Sequence, residues 1–220
     1  MNNHLAAILF DMDGVITNTM FYHYKAWQAV LHDEGIPITK HEIYQREGQK
    51  GITSLKEIFS KYNKPLSIKH GQNLLLKKEE FFNKNVRTRF IPGSRHFIKK
   101  IARRNIVLAL VTGTSKHEIP NILPRKLLDS FHVVISGSDV QNGKPHPEPY
   151  LKALNALNIN NKKQVVVIEN APFGIHSAKM AGLTCLALET SLPRKYLREA
   201  NHVFRDFTSL SNFISRNYMI

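Results

Sequence analysis

Short apolar runs constrain this chain most. Residues 5–10, 106–111, 164–168 and 183–188 are almost free of polar side chains. A strand with one wet face alternates apolar and polar residues. A near-continuous run is buried on both faces, as in a parallel sheet covered by helices. Between the runs, apolar residues recur at helical spacing, and stretches such as Gly35-Ile-Pro37 and Gly182 end those helices. Residues 132–135 and the edge segment His202–Phe204 read as further strands. The pattern predicts a doubly wound α/β fold with a parallel sheet.

One block breaks the alternation. Residues 20–87 show no strand pattern and divide into four predicted helices, 19–31, 41–46, 52–62 and 67–85, with Asn63-Lys-Pro65 separating the last two. The expected organisation is therefore a core domain of residues 1–17 and 88–220 carrying an inserted helical cap of residues 18–87. A length of 220 residues accommodates this as one domain with an insertion. Residues 116–130 read as helical, but Pro120 and Pro124 make that helix short or kinked.

Composition removes several function classes. The longest apolar runs are far too short to span a bilayer, so no membrane partner is expected. Residues 1–10 have neither a basic leader nor a cleavage site, and the lone Cys185 reads as a small buried hydrophobe. A cytoplasmic monomer is the expectation. The formal net charge is +14, yet no run of like charge exceeds two residues. A nucleic-acid binder is expected to concentrate such charge. Here it reads as solvated surface that attracts a small anionic substrate. A basic nucleic-acid-binding protein is the non-enzyme alternative.

In open α/β sheets ligands bind beyond the carboxyl ends of the strands. The first run ends at Asp11-Met-Asp13-Gly14, the second at Thr112, and the fourth at Glu169-Asn170; the loop after the third carries Lys144. Asp11 and Asp13, two apart, point the same way if the chain is extended. Two carboxylates together repel unless a cation or a shared proton relieves them. By itself the pair is equally an acidic turn. With a hydroxyl, an ammonium, another carboxylate and an amide at neighbouring strand ends, it suits phosphoryl transfer, in which a carboxylate attacks phosphorus and cations hold the equatorial oxygens.

These four segments, in this order, resemble the motifs of the haloacid dehalogenase superfamily. The string from Asp11 to Trp27 and the cap after the first motif are similar to its β-phosphoglucomutase-like branch. The resemblance implies a magnesium-dependent enzyme with Asp11 as nucleophile and Asp13 as general acid and base. It implies Thr112, Gly113 and Lys144 as phosphoryl ligands. Mg2+ would be bound by Asp11, Asp13 and Asn170, with Glu169 beside them. Thr19 and residues 87–89 would be the hinges of a closing lid. His23 and Lys50 are substrate-binding candidates, His23 with a packed helix histidine as its alternative. His4, His32, His146 and His202 lack metal-ligand spacing and read as structural.

Two departures from the mutase pattern point to a hydrolase. The fourth motif has Glu169-Asn170 where many relatives have Glu-Asp, so one negative charge is missing. The cap loop reads Arg46-Glu-Gly-Gln-Lys50, where a mutase grips a distal phosphate with Lys-Gly and a nearby Arg. Glu47 would repel such a phosphate, and resembles a pyrophosphatase-like subgroup in which it adds a metal ligand on closure. The expected substrate is pyrophosphate, then a small sugar or organic phosphate; a phosphosugar mutase is the enzyme alternative.

Overall fold

The computed structural model describes residues 3–219. Residues 1, 2 and 220, the outer ends of the expected core domain, lie outside it. Numbered in chain order, β1 (Asn3–His4) and β2 (Ala7–Phe10) lead into four cap helices: α1 (Met20–His32), α2 (Lys40–Gln45), α3 (Gly51–Lys61) and α4 (Ile68–Asn85). The core resumes with α5 (Ser94–Ala102), β3 (Val107–Val111), α6 (Ile119–Ile122), α7 (Arg125–Leu128), β4 (Val133–Ile135) and α8 (Glu148–Ala156). It closes with β5 (Val165–Glu169), α9 (Pro172–Met180), β6 (Thr184–Leu188), β7 (His202–Phe204), α10 (Phe207–Asn217) and β8 (Tyr218–Met219).

Six strands form one parallel sheet in the order β4-β3-β2-β5-β6-β7. The chain starts at the centre with β2, builds outward through β3 and β4, then returns to β5 on the other side. The point where the direction reverses is β2 with its neighbours β3 and β5, where such sheets open a crevice. The apolar runs are explained by two-sided burial. Ala7 and Leu9 belong to one buried apolar cluster with residues of α8 and α9, and Ile8 and Phe10 to a second with residues of α5, α6 and α10. All four side chains are fully buried. Truncating one, such as Leu9→Ala, would cost about 2–5 kcal/mol.

In the cap, α1 packs on α4 and α2, and α3 on α4. Trp27, Val30, Leu31, Leu55, Ile58, Phe59 and Leu74 fill its interior. Thr39 and Glu42 cap the start of α2 reciprocally. The two passages between cap and core run side by side: Asn18 N donates to Arg89 O at 2.7 Å and Ile91 N to Ile16 O at 2.9 Å. The paired linkers form one narrow neck between cap and core.

Most expected elements form within a residue or two of their expected ends. Two differences are physical. The stretch 116–130 is two four-residue helices, because Leu123 before Pro124 is held extended. The pair of β1 with β8 was not foreseen; two-residue strands carry no readable period.

Candidate active site

Parallel register brings the strand ends to one level. Phe10 is paired with Leu110 on β3 and with Ile168 on β5. Asp11, Thr112 and Glu169-Asn170 therefore leave the sheet together, all of them buried. Lys144 enters from the loop before α8. Its ammonium donates to Asp11 Oδ1 and Glu169 Oε1, both at 2.7 Å, and to Val111 O at 3.0 Å. The ring of Tyr150 lies 5.0 Å away, and its hydroxyl donates to Glu169 Oε1 at 2.8 Å. Glu169 Oε2 accepts from Asn170 N at 2.9 Å. Both oxygens of Glu169 are thus engaged. It was expected beside the metal; its two oxygens anchor Lys144 and the start of the β5–α9 turn.

Asp13 sits in a second nest. Thr19 Oγ1 donates to its Oδ1, Thr114 Oγ1 donates to its Oδ2 at 2.9 Å, and His23 Nε2 lies 3.2 Å from Oδ1 as an ion-pair contact rather than an aligned hydrogen bond. His23 stacks on Phe82, with ring centroids 4.1 Å apart. It therefore positions Asp13 and is at once a packed histidine. Thr112 Oγ1 accepts from Thr114 N at 3.1 Å, which fixes the turn after β3.

The two aspartates are driven apart electrostatically. Burial pushes Asp11 from 3.8 up to about 8; Lys144 offsets this only in part, and the charges of Glu169 and Asp13 add to it. Burial would raise Asp13 too, but His23 and the hydrogen bonds from Thr19 and Thr114 outweigh it and hold that carboxyl below its ordinary value. Burial would lower Lys144, yet the charges of Asp11 and Glu169 keep its ammonium well above its usual range. Asp11 is thus a buried carboxyl that wants more positive charge than Lys144 supplies.

Two orphaned oxygens indicate where that charge belongs. Asp11 Oδ2 and Asn170 Oδ1 are buried without a hydrogen-bond partner among the described residues. Asn170 Nδ2 donates to Ser191 Oγ at 2.9 Å, which leaves Oδ1 as the free end of the amide. Gly14, at φ 89°, lies against it; a Cβ there would come 2.1 Å from Asn170 Nδ2. No group of three His, Cys, Asp or Glu residues able to hold a metal occurs among the described residues. A carboxylate oxygen with neutral amide and carbonyl oxygens nevertheless fits Mg2+, which takes oxygen ligands, keeps several waters and needs few carboxylates.

The cap loop closes over this centre. A Cβ on Gly113 would come 2.6 Å from Gly48 O, and one on Gly48, at φ 78°, 2.5 Å from Lys144 Cδ. This apposition brings Glu47 to the site. Burial, then the charges of Asp13 and Asp11, push its carboxyl well above the usual range. Lys50, expected to bind phosphate, donates instead to Val140 O at 2.8 Å and Gln141 O at 3.3 Å and ties cap to core. Glu79 of α4 forms another tie, accepting from Ser115 Oγ at 3.2 Å with His117 Nε2 at 3.4 Å. Between them lies a cavity of about 200 Å³ lined by His23, Trp27, Lys78, Thr114, Ser115 and Glu118 among others.

Comparison with known proteins identifies the family. The sequence model of the haloacid dehalogenase-like hydrolases matches residues 8–188. The chain belongs to that family. Among its relatives, a phosphorylated carbohydrates phosphatase of Thermotoga maritima is 33% identical over 187 residues, 81% of this chain and 82% of that protein. The β-phosphoglucomutase of Bacillus subtilis is 27% identical over 196 residues, 86% of this chain and 85% of that one. The crystal structure of a β-phosphoglucomutase from Clostridium difficile superposes with a TM-score of 0.83 at 26% identity, covering 97% of each chain. This haloacid dehalogenase-like hydrolase therefore fits the β-phosphoglucomutase-like branch, with the parallel α/β core expected of it.

Several residues of this hydrolase's site escaped the sequence reading. Thr114, two residues past Thr112, was given no role, and Thr19 was read only as a hinge. Tyr150, Lys78 and Glu118 were not singled out. Tyr150 alone left a signal, as a large aromatic directly after the Pro-rich Lys144 loop. The others meet their partners only through folding, with Thr114 and Asp13 separated by 101 positions.

Proposed function

We propose that this protein is a magnesium-dependent phosphatase of small phosphorylated carbohydrates, acting through an aspartyl-phosphate on Asp11. The observation that carries the reading is the unequal partnering of the Asp11 carboxyl. Oδ1 is gripped by Lys144, while Oδ2 and the neighbouring strand's Asn170 Oδ1 have no hydrogen-bond partner among the described residues. Asp11, Asn170 and the main-chain carbonyl of Asp13 would hold Mg2+, which neutralises phosphoryl charge and brings Asp11 into its ionised form.

The chain's own groups supply the remaining steps. An Asp11 carboxylate oxygen bonds to phosphorus as the ester P–O bond breaks, and the leaving oxygen takes a proton from Asp13. Asp13, then a carboxylate, removes a proton from water. The water oxygen bonds to phosphorus, the acyl-phosphate bond breaks, and Asp11 is regenerated with release of phosphate. The nest of Thr19, Thr114 and His23 favours the carboxylate form of Asp13, which this second half needs. An incoming anionic substrate raises a neighbouring carboxyl's pKa, which favours the proton in the first half. Thr112 and Lys144 face the transferring group, and the closed cap keeps bulk water out.

Hydrolysis is favoured over mutase action because the cations of the cap loop are already committed. Arg46 pairs with Glu57 and Gln49, and Lys50 with two carbonyls. The name of the Thermotoga maritima relative supports carbohydrate phosphates as the substrate class. Pyrophosphate is the second reading, favoured by the proximity of Glu47 to Asp11 and Asp13, where it can add an oxygen to the cation.

Phosphate release from hexose phosphates, phosphoglycolate and pyrophosphate, measured with Mg2+ and with EDTA, tests both readings. We expect Mg2+-dependent release that is greatest for a hexose phosphate. Interconversion of hexose phosphate isomers without phosphate release would overturn the hydrolase reading.

A further inference from the structure

The cavity between cap and core contains a charged group that the chemistry above does not use. Glu118 immediately precedes α6, is only 2% exposed and lines the cavity. Its Oε2 takes one long hydrogen bond from Ser115 N at 3.4 Å. Its Oε1 is buried with no partner among the described residues. Leaving a buried polar atom unpaired is costly, and such a cost is commonly repaid when a ligand arrives.

The other charged groups at the cavity are already engaged. Glu79 accepts from Ser115 beside His117, Arg46 is paired with Glu57, and Lys50 is bound to carbonyls. Glu47 is grouped with Asp11 and Asp13. Lys78 remains, its ammonium 5.1 Å from the Phe82 ring and 6.0 Å from that of Trp27, with no anionic partner among the described residues. The cavity thus offers an incoming leaving group one unpaired acceptor and one unpaired cation.

We infer that Glu118 is a specificity-determining residue that accepts a hydrogen bond from a hydroxyl of the leaving group. It thereby selects monophosphates of polyhydroxylated compounds over pyrophosphate and bisphosphates. An ionised carboxylate only accepts, so its partner must donate. A sugar hydroxyl donates to Glu118 while a neighbouring sugar oxygen accepts from Lys78. An ionised phosphate has only acceptor oxygens and negative charge to offer there, and Glu118 repels it. A site built to hydrogen-bond a hydroxyl strongly rejects ligands that lack one, because its own polar group is then left unpaired. This inference rests on the phosphatase reading and narrows its substrate class.

The test compares native protein with Glu118→Gln and Glu118→Leu on three substrates: a hexose 6-phosphate, p-nitrophenyl phosphate and pyrophosphate. The readout is the ratio of kcat/KM for the hexose phosphate to that for p-nitrophenyl phosphate, whose leaving group has no other hydroxyl. Glu118→Leu should lower this ratio at least about tenfold, chiefly through KM, as expected for loss of one hydrogen bond to a charged group, and Glu118→Gln, whose amide oxygen still accepts, should lower it by less, about threefold to fivefold. Glu118→Leu should also raise pyrophosphate turnover relative to the hexose phosphate. A ratio that stays within about twofold of native would overturn the inference while leaving phosphatase action intact. Equal losses on every substrate, with a lowered melting temperature, would reassign Glu118 to the fold and overturn it too. No phosphate release from any substrate by native protein would refute the phosphatase reading, and this inference with it.

Discussion

Replacing Asp11 with Asn separates the two forces on that side chain. Burial raises its carboxyl from 3.8 to about 8 although Lys144 lies 2.7 Å away. For a group raised in the folded state, the contribution to stability is complete below the unfolded value and is lost as pH rises through the folded one. Without a divalent cation, the native protein should therefore lose stability between about pH 4 and pH 8. That interval, at ~1.4 kcal/mol per pH unit, sets a ceiling of roughly 6 kcal/mol. Asn cannot ionise, but it also gives up the charged partner of Lys144. We expect Asp11→Asn to be more stable than native protein at pH 8.5 in EDTA by on the order of 2–4 kcal/mol, about 5–15 °C in Tm. At pH 5 the two should melt together. Added Mg2+ should stabilise native protein at pH 8.5 and leave the variant nearly unchanged, and the variant should release no phosphate. Thermal melts in EDTA and in Mg2+ at both pH values make the comparison. A variant less stable than native at pH 8.5 would mean that the Lys144 ion pair outweighs burial, and the account of Asp11 as short of positive charge would fail.

Other parts of the site make separate predictions. Glu47→Gln should raise the Mg2+ concentration for half-maximal activity by on the order of tenfold, read from a metal titration; an unchanged titration would show that Glu47 is not a metal ligand. Gly113→Ala adds a Cβ that would lie 2.6 Å from Gly48 O. The cap should then fail to seat, kcat/KM should fall at least about tenfold, and protease should cut the linkers near residues 18 and 89 faster. Unchanged turnover would show that the closed cap is not the reactive form. Tyr150→Phe removes the hydroxyl 2.8 Å from Glu169 Oε1. It should cost about 1 kcal/mol, seen as 2–4 °C in Tm, and lower kcat more than it raises KM, because Lys144 loses part of its anchor.

Legibility followed sequence distance. Asp11, Thr112 and Glu169-Asn170 could be located because each ends an apolar run, and parallel register makes those ends coincide. Lys144 could be named but not placed. That one ammonium serves both Asp11 and Glu169 depends on the path of a loop with no period to read. The partners of Lys50 were hidden for a related reason. A lysine in a cap loop reads as a free cation until folding brings the carbonyls of Val140 and Gln141 within its reach.

By itself, then, the sequence determined a two-sided parallel sheet, a helical insertion after its first strand, and an acidic pair at the strand ends. All three follow from local hydrophobic pattern and the short-range geometry of strands. Tertiary structure alone decided how each carboxylate is used. Asp11 is left short of positive charge, Asp13 is held ionised by Thr19, Thr114 and His23, and Glu169 is committed to Lys144 and Tyr150. The physical reason is that burial and neighbouring charge set the behaviour of an ionisable group, and both arise from residues brought together only when the chain folds.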